Sequence, residues 1–338
     1  MLKFLLIGTG SLGSVVLWRL KNGGKDDIHV TALCRSNYEA VTNDGFHFTS
    51  KIFGSERWHP DRVVADVQEA VANGETYDYV LIALKALPNL FCGAYMTAPA
   101  IQNSHTCIVL IQNGLGIEEP YERLFPYNPL VSVVSYIDAY QTDPGYVQHG
   151  LMSTVAIGYH CGQYNKYTTN LGNKGKDHLK ILDQFFVESG VDCIVAENIQ
   201  QYRWLKQVHN AVFNPMSVLS GGKDVGSILR HPTLSKIAHK AMQEVWKAGL
   251  VVTNSSSYPY VKGEDSIDSL VKRILARPLP LWTSMWRDFQ GRRPLEHNVI
   301  VKNTIDIAAK HGIAMPHLET IYAHLVVLEE TYMPNTPP

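Results

Sequence analysis

The stretch LKFLLIGTGSLGSVVLWRL, residues 2–20, decides the fold. Leu2 to Ile7 is an apolar run of strand length, and Ser11 to Lys21 carries a helical pattern. Gly8, Gly10 and Gly13 lie between them as GxGxxG. Glycine at these positions permits a tight turn and a close backbone approach, so that a pyrophosphate can rest on the helix N-terminus. Three glycines can also simply make a turn; the strand before and the helix after them raise GTGSLG to a dinucleotide fingerprint. The lysine, apolar run and small residues also imitate a signal peptide. Cleavage there would remove the motif, so the strand reading is preferred.

Working outward, short β-branched runs alternate with helical patterns. Strands are predicted over Ile28 to Leu33, Tyr79 to Leu84 and Cys107 to Ile111, and this alternation implies a parallel sheet with helices on both faces. Val131 to Ile137 and Gly145 to Tyr159 read as later strands, separated by the turn Thr142-Asp143-Pro144-Gly145. Gln163 to Lys176 is expected to be a loop and Met333 to Pro338 a frayed tail. From about Asp177 amphipathic periodicity takes over. Helices are predicted over Lys176 to Glu188, Ile199 to Leu219, Leu234 to Asn254, Ser266 to Ala276, Glu296 to Lys310 and Leu318 to Glu330, with one short strand at Asp192 to Val195.

A chain of 338 residues suits two domains, and 30 basic against 31 acidic residues give no pull toward nucleic acid or an anionic membrane. No apolar stretch reaches the roughly 20 uninterrupted residues of a membrane span. Cys34, Cys92, Cys107, Cys161 and Cys193 are odd in number and widely spaced, which fits reduced thiols in the cytoplasm. The histidines show no HExxH or similar pair, so no metal is expected.

The choice of dinucleotide falls to the end of the second strand, Leu33-Cys34-Arg35-Ser36-Asn37. An acid there would bind the ribose hydroxyls of NAD, whereas Arg35 offers a guanidinium fork for a 2′-phosphate and has no acid beside it in sequence. NADP is therefore favoured. Lys85 in ALKAL and Asn113 in IQNGLG each follow a buried strand, at the carboxyl ends where a doubly wound sheet binds ligands.

The helix containing WLKQVHNAVFNP, residues 204–215, separates at about 100° per residue into two faces. Leu205, Val208, Val212, Met216 and Leu219 form one; Arg203, Lys206, Asn210, Asn214 and Ser217 form the other. Such a polar face is by default wet. Yet no acid occurs between Asn198 and Lys223, and asparagine is a poor choice for an exposed helix interior. Ser284 and Asp288 form a second polar pair in WTSMWRDFQGRRPLEHN. Glu296 can be read as a first-turn acid favoured by a helix dipole, and Asp288 as a surface partner of Arg292. A bound hydride carrier needs from the protein only a proton donor and carbonyl polarisers, which a lysine and two amides can supply.

These segments together, GTGSLG, LCRSNYEAVTNDGFHF, ALKAL, QNGLG, WLKQVHNAVFNP, SMWRDFQGRRPLE and HGIAMP, resemble ketopantoate reductase (2-dehydropantoate 2-reductase) over nearly the whole chain. The resemblance implies an α/β fold, with an N-terminal Rossmann-type doubly wound sheet followed by a mainly α-helical C-terminal domain. The expected division is 1–197 for NADP binding and 198–338 for substrate. It implies NADPH-dependent reduction of ketopantoate to (R)-pantoate, on the route to pantothenate and coenzyme A. Lys206 is similar to the family's catalytic lysine, Glu296 to the acid that works with it, and Asn210, Asn214 and Ser284 to substrate-binding residues. Gly8, Thr9, Gly10, Ser11, Leu12, Gly13, Arg35, Lys85 and Asn113 fall at cofactor positions, and Asp288 matches a recurrent aspartate. The expected partner is a small 2-oxo acid, without nucleic acid or membrane, and a homodimer is left open. The run after Glu296, His297-Asn298-Val299-Ile300-Val301-Lys302, departs from the family's aspartate, tyrosine, asparagine and glycine, and Ser220 to Gly226 is altered too. A reductase of another 2-oxo acid and a non-catalytic NADP-binding sensor are the alternatives.

Overall fold

The computed structural model of the protein describes residues 1–160, 169–259, 266–278 and 280–333, the side chains of 169–175 excepted. Cys161, residues 163–168 of the predicted loop and the tail beyond Met333 lie outside the described residues. The chain forms two compact units. The first comprises Met1–Lys85, Cys92–Gln112 and Ile117–Ile199; the second comprises Ala86–Phe91, Asn113–Gly116 and Gln200–Pro338.

The first unit is built on one mixed sheet. Its strands are β1 (Leu2–Ile7), β2 (Ile28–Leu33), β3 (Phe46–Ser50), β4 (Gly54–Trp58), β5 (Arg62–Val64), β6 (Tyr79–Ile82), β7 (Cys107–Leu110), β8 (Leu130–Asp143), β9 (Tyr146–Tyr159) and β10 (Asp192–Val195). The spatial order is β4-β3-β9-β8-β7-β6-β1-β2-β5, with β10 also on β9. From β5 to β8 every pairing is parallel, and the order reverses between β1 and β6, the switch point of a doubly wound sheet. The sheet is not parallel throughout, as the alternation had implied. β8 and β9 are joined only by Pro144 and Gly145, and so short a connection permits antiparallel pairing alone. Gly145 supplies the required positive φ of 82°. The hairpin of β3 and β4, antiparallel to each other and placed by β3 beside β9, was not legible as strands.

Helices α1 (Ser11–Gly24), α2 (Tyr38–Asp44), α3 (Val67–Ala70), α4 (Gly93–Thr97), α5 (Glu119–Leu124) and α6 (Thr169–Glu188) complete this unit. α6 corrects the predicted loop: the helix already runs at Thr169, so the polar stretch before Asp177 is its first two turns. Phe4, Leu6, Val16, Trp18, Val30 and Phe186 are among the buried side chains of one continuous core. Within it Phe4 stacks on Tyr79 and Trp18 on Phe48, each pair with ring centroids 4.3 Å apart, contacts worth about 1 kcal/mol beyond burial. Cys34, Cys92, Cys107 and Cys193 are free thiols.

The second unit is helical: α7 (Ile199–Leu219), α8 (Val225–Arg230), α9 (Leu234–Val252), α10 (Ile267–Leu275), α11 (Ser284–Gln290), α12 (Asn303–Lys310) and α13 (Pro316–Glu330). The predicted helix from Glu296 does not run evenly to Lys310; Asn298–Lys302 form a π-type turn before α12 begins. The segments 86–91 and 113–116 join this unit through hydrogen bonds. Leu115 N–H donates to Val299 O at 2.9 Å, and Asn303 Nδ2 donates to Leu115 O at 2.7 Å. Among the described residues no helix is long and apolar enough to cross a membrane.

Candidate active site

The glycine turn of the first unit shows what each glycine does. Gly8 has φ of 107°, and a Cβ there would stand 2.6 Å from the backbone of Ala83 and Leu84, at the end of β6. A Cβ on Gly13 would fall 2.3 Å from Gly8 O. Both positions are closed by the protein's own packing. Gly10 differs: a Cβ there would meet nothing within 4 Å. Its lack of a side chain answers no contact inside the protein and leaves room for a ligand to approach the backbone.

The first turn of α1 has no acid and no side-chain cap, so its amides are left to other partners. Ser11 and Leu12 begin that helix, both half-buried. Thr9 points inward. Its hydroxyl lies 3.1 Å from both Leu33 O and Asn37 Oδ1, and Asn37 Nδ2 donates to Thr9 O at 3.1 Å. Thr9 thus fastens the turn to the end of β2 through a buried Asn37 whose role the sequence did not signal. Arg35 is exposed and lines an open depression of about 490 Å³ with Cys34, Ser36, Tyr38, Glu39 and Ala65. Glu39, four residues on, is an acid in that lining, which the neutral sequence neighbours of Arg35 did not suggest. Lys85 is exposed after β6.

In the second unit α7 carries the row Lys206, Asn210 and Asn214. This helix is not wet on its polar side: Arg203, Gln207, Asn214 and Ser217 are buried, while Lys206 and Asn210 are half-buried. Trp204, Leu205, Val208, Val212 and Phe213 are buried as well, so nearly the whole circumference is covered. Leu219, assigned to the apolar face, is instead exposed at the last turn. Pro215 has no N–H to give Ala211 O, yet the helix continues through it.

Gln207 holds this wall to the turn that follows Glu296, its Nε2 donating to Ile300 O at 2.8 Å and to Thr304 Oγ1 at 3.0 Å. Burial, and next the guanidinium of Arg203, press the Lys206 amine down from 10.5 to about 7, against the pull of the Glu296 carboxylate. His209, whose Nδ1 is 3.4 Å from Asn210 Oδ1, is pushed down to about 4 by burial and by Arg273, Lys206 and Arg277, against that contact. Glu296 is buried, and its Oε1 accepts from Ala86 N–H at 2.9 Å.

Asn113 is half-buried, and its Oδ1 is buried with no hydrogen-bond partner among the described residues. A buried carbonyl oxygen left this way suits a ligand donor. Ser284 is exposed at the first residue of α11, after Thr283, which caps that helix by accepting from Trp286 N–H at 3.2 Å. Asp288 pairs with Arg293 at 3.1 Å rather than with Arg292, whose φ of 49° belongs to the turn after α11. The altered segment Ser220 to Gly226 closes on Asp224, whose Oδ1 accepts from Gly226 N–H at 3.0 Å and caps α8.

Known proteins share this chain's pattern. A family model described as ketopantoate reductase PanE/ApbA matches residues 4–162, and its C-terminal companion matches residues 198–329. The crystal structure of 2-dehydropantoate 2-reductase from Methylococcus capsulatus superposes with a TM-score of 0.81 and 31% identity, covering 98% of each chain. The 2-dehydropantoate 2-reductase of Nostoc sp. is 26% identical over 332 residues, 97% of this chain and 95% of that protein. The meiotically up-regulated gene 72 protein of Schizosaccharomyces pombe is 26% identical over 95% of this chain, which spans only 56% of that relative.

Proposed function

The chain belongs to the ketopantoate reductase family, and from that premise we propose that it is an NADPH-dependent reductase of a small 2-oxo acid, ketopantoate being reduced to (R)-pantoate. The observation that carries this reading is Lys206, an amine brought to about 7 by its surroundings and so able to hold and release a proton near neutrality. In the first unit the open side of Gly10 and the uncapped turn of α1 fit a pyrophosphate, and Arg35 fits a 2′-phosphate. The unpartnered Oδ1 of Asn113 would accept from the bound cofactor.

When bound, NADPH would supply the hydride that adds to the carbonyl carbon of the acid. Lys206 gives its ammonium proton to the carbonyl oxygen, so the alcohol forms and the amine is left neutral. Glu296 favours the protonated amine by its charge and readies the lysine for the next proton. The Asn210 amide N–H groups polarise the carbonyl, Asn214 takes the end of the substrate away from it, and Ser284 holds the carboxylate.

The substrate is the part of the reading that the altered residues touch. The run from His297 to Lys302 and the segment Ser220 to Gly226 depart from the family's residues, and that departure favours as second reading a different small 2-oxo acid. The test is NADPH oxidation against a panel of 2-oxo acids. Ketopantoate with the highest kcat/KM supports the first reading, a clear preference for another acid selects the second, and tight NADPH binding without any turnover would mark a sensor.

A further inference from the structure

The run after Glu296 surrounds that acid with a buried polar device. Glu329 on α13 is 3% exposed, and its carboxylate holds the residue on each side of Glu296. Oε1 accepts the N–H of Leu295 at 2.6 Å, and Oε2 lies 2.8 Å from Nε2 of His297, which is 1% exposed. The other ring nitrogen of His297, Nδ1, has no hydrogen-bond partner among the described residues. Just beyond, Ile300 N–H donates to Glu296 O at 3.1 Å, and Leu115 N–H donates to Val299 O. A Cβ on Gly114 would stand 2.6 Å from that same Val299 O, so the turn packs tightly against segment 113–116.

A buried histidine–carboxylate pair is a costly way to fill space, since two apolar side chains of similar volume would serve stability as well or better. What it provides is position: one carboxylate fixes the backbone before Glu296 and the side chain after it. We propose that Glu329 and His297 are positioning residues for the reduction, clamping residues 295 and 297 so that the Glu296 carboxylate is held where it acts on Lys206. The inference rests on the reductase reading above. Lys206 is faced by Arg203 and His209 from its own helix and by Glu296 from outside it. A Glu296 set loose would therefore leave the depressing influence of Arg203 unopposed.

The experiment compares wild type with His297→Leu, Glu329→Leu and the conservative His297→Gln, whose amide can still donate to Glu329. In both leucine variants kcat falls by about 10- to 100-fold, the loss expected of a slightly misplaced catalytic group. KM for NADPH stays within about twofold, as uniform binding is untouched. The alkaline limb of the kcat/KM profile moves to lower pH, and His297→Gln restores rate and limb together. Hydrogen exchange supplies a readout independent of turnover: the Ala86 and Leu115 amides exchange faster in the leucine variants, while those of α9 do not. Leucine variants with wild-type kcat, pH profile and protection at Ala86 would overturn the proposal. A wild type that reduces no 2-oxo acid removes the reductase reading instead, and exchange at Ala86 then decides the clamp. If the leucine variants do not fold, His297→Asn, with too short a reach to Glu329, takes their place.

Discussion

The backbone amide of Ala86 donates to Oε1 of Glu296 at 2.9 Å, although 210 positions of chain separate the two. The residue after Lys85 thus belongs structurally with the acid whose charge supports Lys206. Misplacing either end of this bond disturbs the other, and the consequences of the lysine's environment can be worked out in sign.

In the proposed reduction Lys206 must be protonated to donate, and its surroundings press its amine down to about 7. As pH rises through that value the active form is lost, and kcat/KM for the 2-oxo acid falls by about tenfold per pH unit. A profile measured from pH 5 to pH 10 checks this. Full activity sustained to pH 10 would mean that the donor titrates elsewhere.

The same depression has a stability cost. Between about 7 and 10.5 the unfolded chain binds more protons at Lys206 than the folded one, so this residue's contribution improves with rising pH. Its penalty is complete below pH 7 and vanishes above 10.5. Lys206→Met should therefore melt above wild type at pH 6, with the gap narrowing at pH 9. Thermal unfolding at the two pH values gives the answer, and a gap independent of pH would contradict the burial of a proton-binding amine.

Two glycines of one motif should respond in opposite ways. Gly8→Ala drives a Cβ to 2.6 Å from the backbone of Ala83 with φ of 107°, and so lowers Tm markedly. Gly10→Ala meets nothing within 4 Å, so stability stays within about 0.5 kcal/mol of wild type. NADPH affinity should nonetheless fall in Gly10→Ala, as the methyl occupies the space left for the pyrophosphate. Calorimetric melting and fluorescence titration separate the two effects; unaltered NADPH binding by Gly10→Ala would deny that space a ligand.

Arg35→Ala should weaken NADPH far more than NADH. Losing one charge-assisted contact to a phosphate costs about 1.5–3 kcal/mol, or roughly 10- to 150-fold in KM for NADPH. Glu39, in the same depression, would act against a 2′-phosphate bound there, so Glu39→Ala should lower that KM modestly. Equal losses with both nucleotides on replacing Arg35 would refute phosphate recognition there.

Much of this molecule was legible in its sequence where the physics is local. β1, β2, β10 and α7 begin and end where periodicity placed them, because a buried strand or helix is written in consecutive residues. The row Lys206, Asn210 and Asn214 follows from helical spacing alone. What escaped depends on distant partners. β3, with His47 between its phenylalanines and Thr49 after them, is a strand because β9, a hundred residues on, offers its edge. The buried Asn37 matters through Thr9, and the segment after Lys85 joins the helical unit through Glu296. The π-type turn at Asn298–Lys302 interrupts a pattern that reads as one helix, and the carboxylate beside it comes from Glu329, thirty-odd residues downstream.

Hydride transfer in a single turnover, with NADPH preloaded and ketopantoate in excess, tests the role of Lys206 most directly when wild type is compared with Lys206→Met. Removal of the proton donor should slow the step by about 10²- to 10⁴-fold while leaving NADPH affinity unchanged. A Lys206→Met variant that transfers hydride at the wild-type rate would contradict the assignment of Lys206 as the proton donor.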